Sequence, residues 1–351
     1  MKTRTAYVTA PEKIEIMEEE LPALGDYDVL LKTEAVGMCH TDLPVFLRQQ
    51  AFGLSEHGFR KTVQIGSGSK LGHEPVGTIV EVGKKVTKFA PGDHVTGFYS
   101  HAFTTYRVLP EDSILVKIPE LQPGRDWRTC VVEPMGCVTN IIHFMEQDPM
   151  EYVGVVGCGY MNLMVLAALR KKNLKELVAI DIRDDKLEIA KKYGATKVLN
   201  SIKTDIVEEV YQMTGGKFLD SIVEMSGSIK GLQSACSVIK FARHNGLPTS
   251  DYHGRGRIVI TSVYTAEETF PKELGYELVL RCPIIDAAHP MSGVDVMGNE
   301  REAVALFADG TIPMDEMISH TFQFRDVQHA FELLLHPTPD YVKGIVLFDE
   351  E

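Results

Sequence analysis

The spacing of hydrophobic and polar positions changes character partway along the chain. In the first third, short apolar stretches at 28–36, 77–82 and 94–96 are separated by turn signals such as Pro91-Gly92-Asp93. That is the texture of a β-rich domain made of short strands. From about Glu151 the apolar segments fall at 153–156, 177–180, 197–199, 221–224, 257–261 and 283–287, with amphipathic stretches of helical period between them. Such alternation predicts βαβ units on a parallel sheet. One of the stretches, 184–193, reads as a helix, with Gly194 behind it in the capping position. Beyond residue 289 the pattern is mixed again, and predicts helices at 300–308 and 325–335 and a last strand at 344–348. Two polar stretches, 48–70 and 243–256, exceed ordinary loop length. Each is a functional loop, an interface element or a mobile one.

A chain of 351 residues is larger than one core usually supports, so two domains are expected. With 44% hydrophobic and 24% charged residues, the composition is that of a globular protein and excludes a disordered one. The formal net charge of −13 repels phosphate backbones and anionic membrane surfaces, so neither nucleic acid nor membrane is an expected partner. The N-terminus lacks the apolar core of a signal peptide, and no run reaches the roughly 18 apolar residues of a membrane span. A cytoplasmic location is therefore expected. The six cysteines are scattered without a CxxC pair, so they form neither a disulfide framework nor a zinc knuckle. A ligating cysteine must act beside histidine or carboxylate.

The chemistry begins at Val153-Gly-Val-Val-Gly-Cys-Gly-Tyr160, where Gly157 and Gly159 stand between a strand and a helix. The first glycine allows a tight turn, and the second lets backbone N–H groups at the helix start, around Tyr160 and Met161, approach a pyrophosphate. The third position of this fingerprint is Asn162 rather than glycine, which predicts a helix displaced slightly from the strand. The next strand ends at Asp181, 24 residues past Gly157. A carboxylate there accepts the ribose hydroxyls of NAD and repels the extra phosphate of NADP. Arg183 is a candidate for the adenine face or a solvated charge. Strand, turn, helix and acid in register favour NAD binding over a bare glycine turn with a surface aspartate.

Four further motifs, Gly37-Met-Cys-His-Thr-Asp-Leu43, Gly72-His-Glu-Pro-Val-Gly77, Gly92-Asp-His-Val95 and Val132-Glu-Pro-Met-Gly136, together resemble the zinc-containing medium-chain dehydrogenase/reductase family over nearly the whole chain. The Glu-Pro pair at the fourth motif resembles its polyol and sugar dehydrogenase branch. The resemblance implies a GroES-like β-rich catalytic domain at 1–148 and 290–351, and a Rossmann doubly wound parallel-sheet domain at 149–289. It also implies one catalytic Zn2+ per subunit. Cys39, His73 and Glu74 would be direct ligands, Glu133 a direct or water-bridged one, and Asp42 would orient the histidine. One thiolate, one imidazole and carboxylates with a position left for substrate make an open zinc site of catalytic type. The family's second, structural zinc lobe has no counterpart, because no cysteine lies between Cys39 and Cys130.

Zinc acting as a Lewis acid on a secondary alcohol, with hydride passing to NAD, is the implied reaction. Thr41 matches the family's proton-relay hydroxyl and His40 a position near the cofactor pyrophosphate. The histidine that ends the relay in many relatives is replaced here by Pro44, so the proton leaves through Thr41 and the cofactor ribose, or through water held by Glu74 or Glu133. His289 is a candidate for the substrate pocket, and Arg48, His57, Arg60 and Lys61 for a phosphate or carboxylate on the substrate. Relatives pair through the edge of the nucleotide domain, here around 283–287, which implies a homodimer or homotetramer. Two rival functions remain at this stage, a zinc-free NADPH quinone or enoyl reductase of the same superfamily and a nucleotide-binding scaffold without catalysis.

Overall fold

The computed structural model describes residues 1–54, 60–66, 68–146, 150–242, 254–262, 264, 269–288 and 295–349, with 50–54 and 60–64 described as backbone only. It comprises two compact units, Met1–Pro134 with Phe307–Glu351, and Met135–Leu306.

In the first unit, a mostly antiparallel sheet runs in the order Ile114–Lys117, His94–Phe98, Glu74–Val82, Asp28–Gly37, Gly344–Leu347, His320–Gln323, and Tyr106–Pro110 also pairs with Asp28–Gly37. A second sheet joins Lys13–Glu20, Lys2–Ala10 and Ser69–Lys70. Their inward faces and helix Val327–Leu335 close over one core containing Phe46, Phe103, Phe324, Phe331 and Phe348. Burial of such side chains is worth roughly 1.5–3 kcal/mol each, which is why these short strands hold without long hydrogen-bonded ladders. The C-terminal strand decides the architecture here. It pairs antiparallel with Asp28–Gly37, setting Ile345 opposite Gly37 and Val346 opposite Val36.

The second unit is a six-stranded parallel sheet in the order Lys197–Asn200, Glu176–Asp181, Tyr152–Val156, Ser221–Glu224, Arg257–Ile260, Ile284–Ala287. The central strands are buried along their length, as their unbroken apolar runs require. The strand order reverses direction at Tyr152–Val156, the topological switch point where open α/β sheets bind ligands. This is the expected pairing of a GroES-like β-rich unit with a Rossmann sheet.

The units divide after Pro134 and before Phe307, not at 148/149 and 289/290. The reason is helix packing. Helices Glu133–Met145 and Val296–Ala308 lie close together: Thr139 Oγ1 donates to the Asn299 carbonyl at 3.2 Å, and a Cβ at Gly136 would come 2.5 Å from Glu300. Periodicity along the chain does not reveal which sheet a helix joins. The expected helix at 300–308 also begins earlier, at Val296, and the one at 325–335 is Val327–Leu335 behind a short 3-10 turn, Phe324–Asp326.

Candidate metal centre and nucleotide turn

Three neighbouring strands of the first unit terminate at one point. Gly37 pairs with Glu74 on one side and with Ile345 on the other. The residues flanking those ends, Cys39, His73 and Lys343, are thereby carried to the same place from opposite ends of the chain. Gly37 makes room for them, since a Cβ there would lie 2.0 Å from Glu74 Oε2 and 2.6 Å from Val131.

One ligand atom from each of Cys39, His73 and Glu74 lies within 4.8 Å of the others. Asp42 accepts the Gly72 N–H at 3.2 Å and sits 3.4 Å from His73 Nδ1. Its contact with one ring nitrogen leaves Nε2 turned toward the cysteine side, the arrangement a metal-bound imidazole generally has. Thr41, exposed on the short 3-10 turn His40–Asp42, donates to Cys39 Sγ at 3.2 Å and lies 3.3 Å from His73 Nε2.

Glu74 is 1% exposed, and its two oxygens differ in surroundings. Oε2 accepts from the Lys343 ammonium at 2.5 Å, which also donates to the Met38 carbonyl at 2.8 Å. Oε1 is buried without a hydrogen-bond partner among the described residues. A buried bare carboxylate oxygen beside a thiol and an imidazole is the donor set that zinc satisfies, so the residues fit the metal that the sequence implied. Burial alone would lower the His73 pKa, but Asp42, Cys39 and Glu74 override it and push the imidazole up to about 12. Asp42 and Glu74 raise it because they favour a positive charge at the ring, the charge that a metal ion would bring in the proton's place. Glu133 opens helix Glu133–Met145 and stands outside the three-residue group. Burial and then the neighbouring Glu74 push its carboxyl up to about 7, against the opposing pull of His73 and Lys343. His40 is exposed on the same turn.

In the second unit, Gly157 has φ +83°, and a Cβ there would meet Ser226 Cα at 2.8 Å, so only glycine makes this turn. Gly159 precedes helix Tyr160–Leu169, whose first turn holds Tyr160 and Met161. The Asp181 carboxylate lies over the turn, accepting the Cys158 N–H at 2.6 Å and the Arg183 N–H at 2.9 Å. The Arg183 side chain is bonded to Asp185, with Nε at 3.1 Å from its carboxylate, and remains exposed at the end of the strand. Asn162 is buried and bonded to the strand end in place of the third glycine's close packing. Ile182 and Ile202, 58% and 72% exposed, flank the ends of the paired strands that carry Asp181 and Asn200. His57 and His289 lie outside the described residues, as do the side chains of Arg60 and Lys61, while Arg48 Nη1 reaches the Thr9 carbonyl at 3.5 Å.

Comparison with known proteins agrees with this fold. The alcohol dehydrogenase GroES-like domain matches residues 25–120, and the zinc-binding dehydrogenase domain matches residues 161–244. An uncharacterized zinc-type alcohol dehydrogenase-like protein of Escherichia coli is 24% identical, over 99% of both chains. D-xylulose reductase A of Aspergillus oryzae is 26% identical, over 91% of this chain and 90% of its own. The crystal structure of L-idonate 5-dehydrogenase from Escherichia coli superposes with a TM-score of 0.79 at 18% identity, covering 99% of each chain. The chain belongs to the zinc-type medium-chain dehydrogenase/reductase family. It is by class an oxidoreductase, in a family whose members bind zinc and NAD or NADP. Among the described residues, no helix is long and apolar enough to cross a membrane.

Lys343 and the two isoleucines were missed by sequence reasoning. Lys343 stands alone in Tyr341-Val-Lys-Gly344, where nothing local separates a buried counter-ion from a solvated lysine. Ile182, directly after the acid that ends its strand, carried a usable signal, because an apolar residue at a strand's C-terminal edge is well placed for a ligand.

Proposed function

We propose that this protein oxidises a secondary alcohol of a polyol, sugar or cyclitol with NAD, using one zinc ion held by Cys39, His73 and Glu74, with Glu133 bound to it directly or through water. The observation carrying this reading is the bare, buried Oε1 of Glu74 beside Cys39 and His73. Zinc held there supplies a Lewis acid for the substrate hydroxyl, and NAD supplies the hydride acceptor. The chain's own residues do the rest. Asp42 fixes the His73 ring. Thr41, within 3.3 Å of both Cys39 and His73, is placed to accept the substrate's proton. Pro44 cannot pass that proton on, so Glu133 is assigned the exit through water. The backbone at Tyr160 and Met161 is assigned to the cofactor phosphates and Asp181 to the ribose hydroxyls, and Ile182 and Ile202 offer apolar surface for adenine.

The polyol assignment draws on the Glu133-Pro134 pair and on the printed activities of D-xylulose reductase A and L-idonate 5-dehydrogenase. The test is a cofactor-reduction screen over polyols, sugars, cyclitols and their phosphates, with metal analysis alongside. Turnover of one of these classes with NAD and bound zinc is expected. Turnover only of quinones or enones with NADPH and no zinc would reverse it.

The same reading includes a homodimer or homotetramer. Tyr276, Val279 and Leu280 project from one face of helix Lys272–Arg281, and Ile285 lies on the edge strand; these four are between 43% and 75% exposed. Apolar exposure of this kind, beside a strand that forms the sheet edge among the described residues, supports an association surface there. Light scattering of an Ile285→Lys, Leu280→Lys variant should show monomers, and an unchanged assembly would place the interface elsewhere.

A further inference from the structure

The glycine turn carries one residue whose geometry the dinucleotide reading leaves unexplained. Asn162 is fully buried at 0% exposure. Its Nδ2 donates to the Val156 carbonyl at 3.0 Å and to the Gly157 carbonyl at 2.7 Å. Both neighbours are acceptors, so the amide nitrogen must face them. Oδ1 is then left buried with no hydrogen-bond partner among the described residues. A bare buried acceptor is destabilising, and glycine at this position would avoid it. Packing alone therefore does not account for asparagine here, whereas holding two backbone carbonyls does.

The second carbonyl belongs to the Gly157–Cys158 peptide. The same peptide's N–H donates to Asp181 Oδ2 at 2.6 Å, so one peptide plane is gripped on its oxygen by Asn162 and on its nitrogen by Asp181. The turn has little freedom to retreat, because Gly157 N–H is bonded to the Ile180 carbonyl at 2.8 Å and the Ser226 backbone closes the other side. Rotating this peptide would break both grips together.

We infer that Asn162 is a positioning residue that locks the Gly157–Cys158 peptide and, through it, couples the ribose-binding carboxylate of Asp181 to the phosphate-facing turn. The ribose and pyrophosphate of one dinucleotide are thus recognised as a unit. The inference rests on the dinucleotide reading above and deepens it.

A double-mutant cycle on the full-length protein tests the coupling, with ADP-ribose and NAD as probes in titration calorimetry. Asn162→Gly and Asp181→Asn should each weaken ADP-ribose about tenfold, as loss of a charge-assisted or turn-fixing hydrogen bond does. The double variant should fall at least about threefold short of the product of the two, because the peptide is already released. Losses that multiply fully, or an Asn162→Gly protein that binds as wild type does, would overturn the coupling and leave the dinucleotide reading standing. A wild-type protein that binds neither probe would overturn both. If Asn162→Gly does not fold, amide exchange gives an arm that spares the core. Asp181→Asn should speed exchange at the Cys158 N–H by at least about tenfold, and unchanged exchange would overturn the inference.

Discussion

In the β-rich unit the side chains that meet at the end of strand Asp28–Gly37 come from Cys39, His73, Glu74 and Lys343, nearly the full length of the chain. In the nucleotide unit the turn, its clamp and its acid all lie between Val156 and Arg183. The first site exists only when distant strands pair, and it buries an ion pair in doing so. The second is one strand–turn–helix–strand segment whose acid remains half-buried at the edge. Loss of the first site's ion pair should therefore reach the stability of the fold, whereas damage to the acid of the second should be confined to binding.

The largest expected effect is on the metal. Chelation should remove one zinc per chain and abolish turnover, while circular dichroism stays unchanged, because no cysteine lobe depends on metal to fold. Two zincs per chain, or unfolding on chelation, would contradict this. Next comes the proton. Glu133→Gln should retain zinc yet lose about 10²–10⁴ in turnover, and Thr41→Ala should lose less. The reverse order at equal zinc content would put the proton's exit on the hydroxyl.

Lys343→Met tests the contrast most directly. It leaves Glu74 buried without its counter-ion, which should cost about 3–5 kcal/mol in denaturant unfolding. Asp181→Asn, by comparison, should stay within about 1 kcal/mol. Equal costs would erase the distinction between the units. Asp181 should instead act on cofactor choice, favouring NAD over NADP at least about tenfold, or roughly 1.4 kcal/mol. Asp181→Ser should narrow that ratio chiefly by improving NADP, as steady-state kinetics with both cofactors will show.

The smallest effect concerns acid sensitivity of the β-rich unit. Burial of Glu19 opposes its charge, yet Lys70, Tyr7 and Thr5 bond the carboxylate and hold it down at about 2. A folded pKa below the unfolded one stabilises above the unfolded value of about 4.5, and that contribution is lost as pH falls toward 2. Glu19→Gln should flatten the fall in stability across that window, measured by unfolding at stepped pH.

Several features were fixed by the sequence alone because they are local or periodic. The strands of the parallel sheet follow from apolar runs near five residues, the glycine turn from two glycines and an acid in register, and the candidate metal ligands from short motifs that carry the family resemblance. Tertiary structure decided what no window of sequence contains. Whether helix Val296–Ala308 belongs to one unit or the other shows only in its contacts with helix Glu133–Met145, Asn299 against Thr139 and Glu300 against Gly136. Whether Lys343 is a solvated charge or the buried partner of Glu74 depends on a strand pairing that spans more than 300 residues. Asn162 reads as a departure from the glycine pattern until its amide is seen between two carbonyls. Burial and electrostatic pairing belong to three-dimensional neighbours, so the identity of a residue predicts its chemistry only where those neighbours are also its neighbours in sequence.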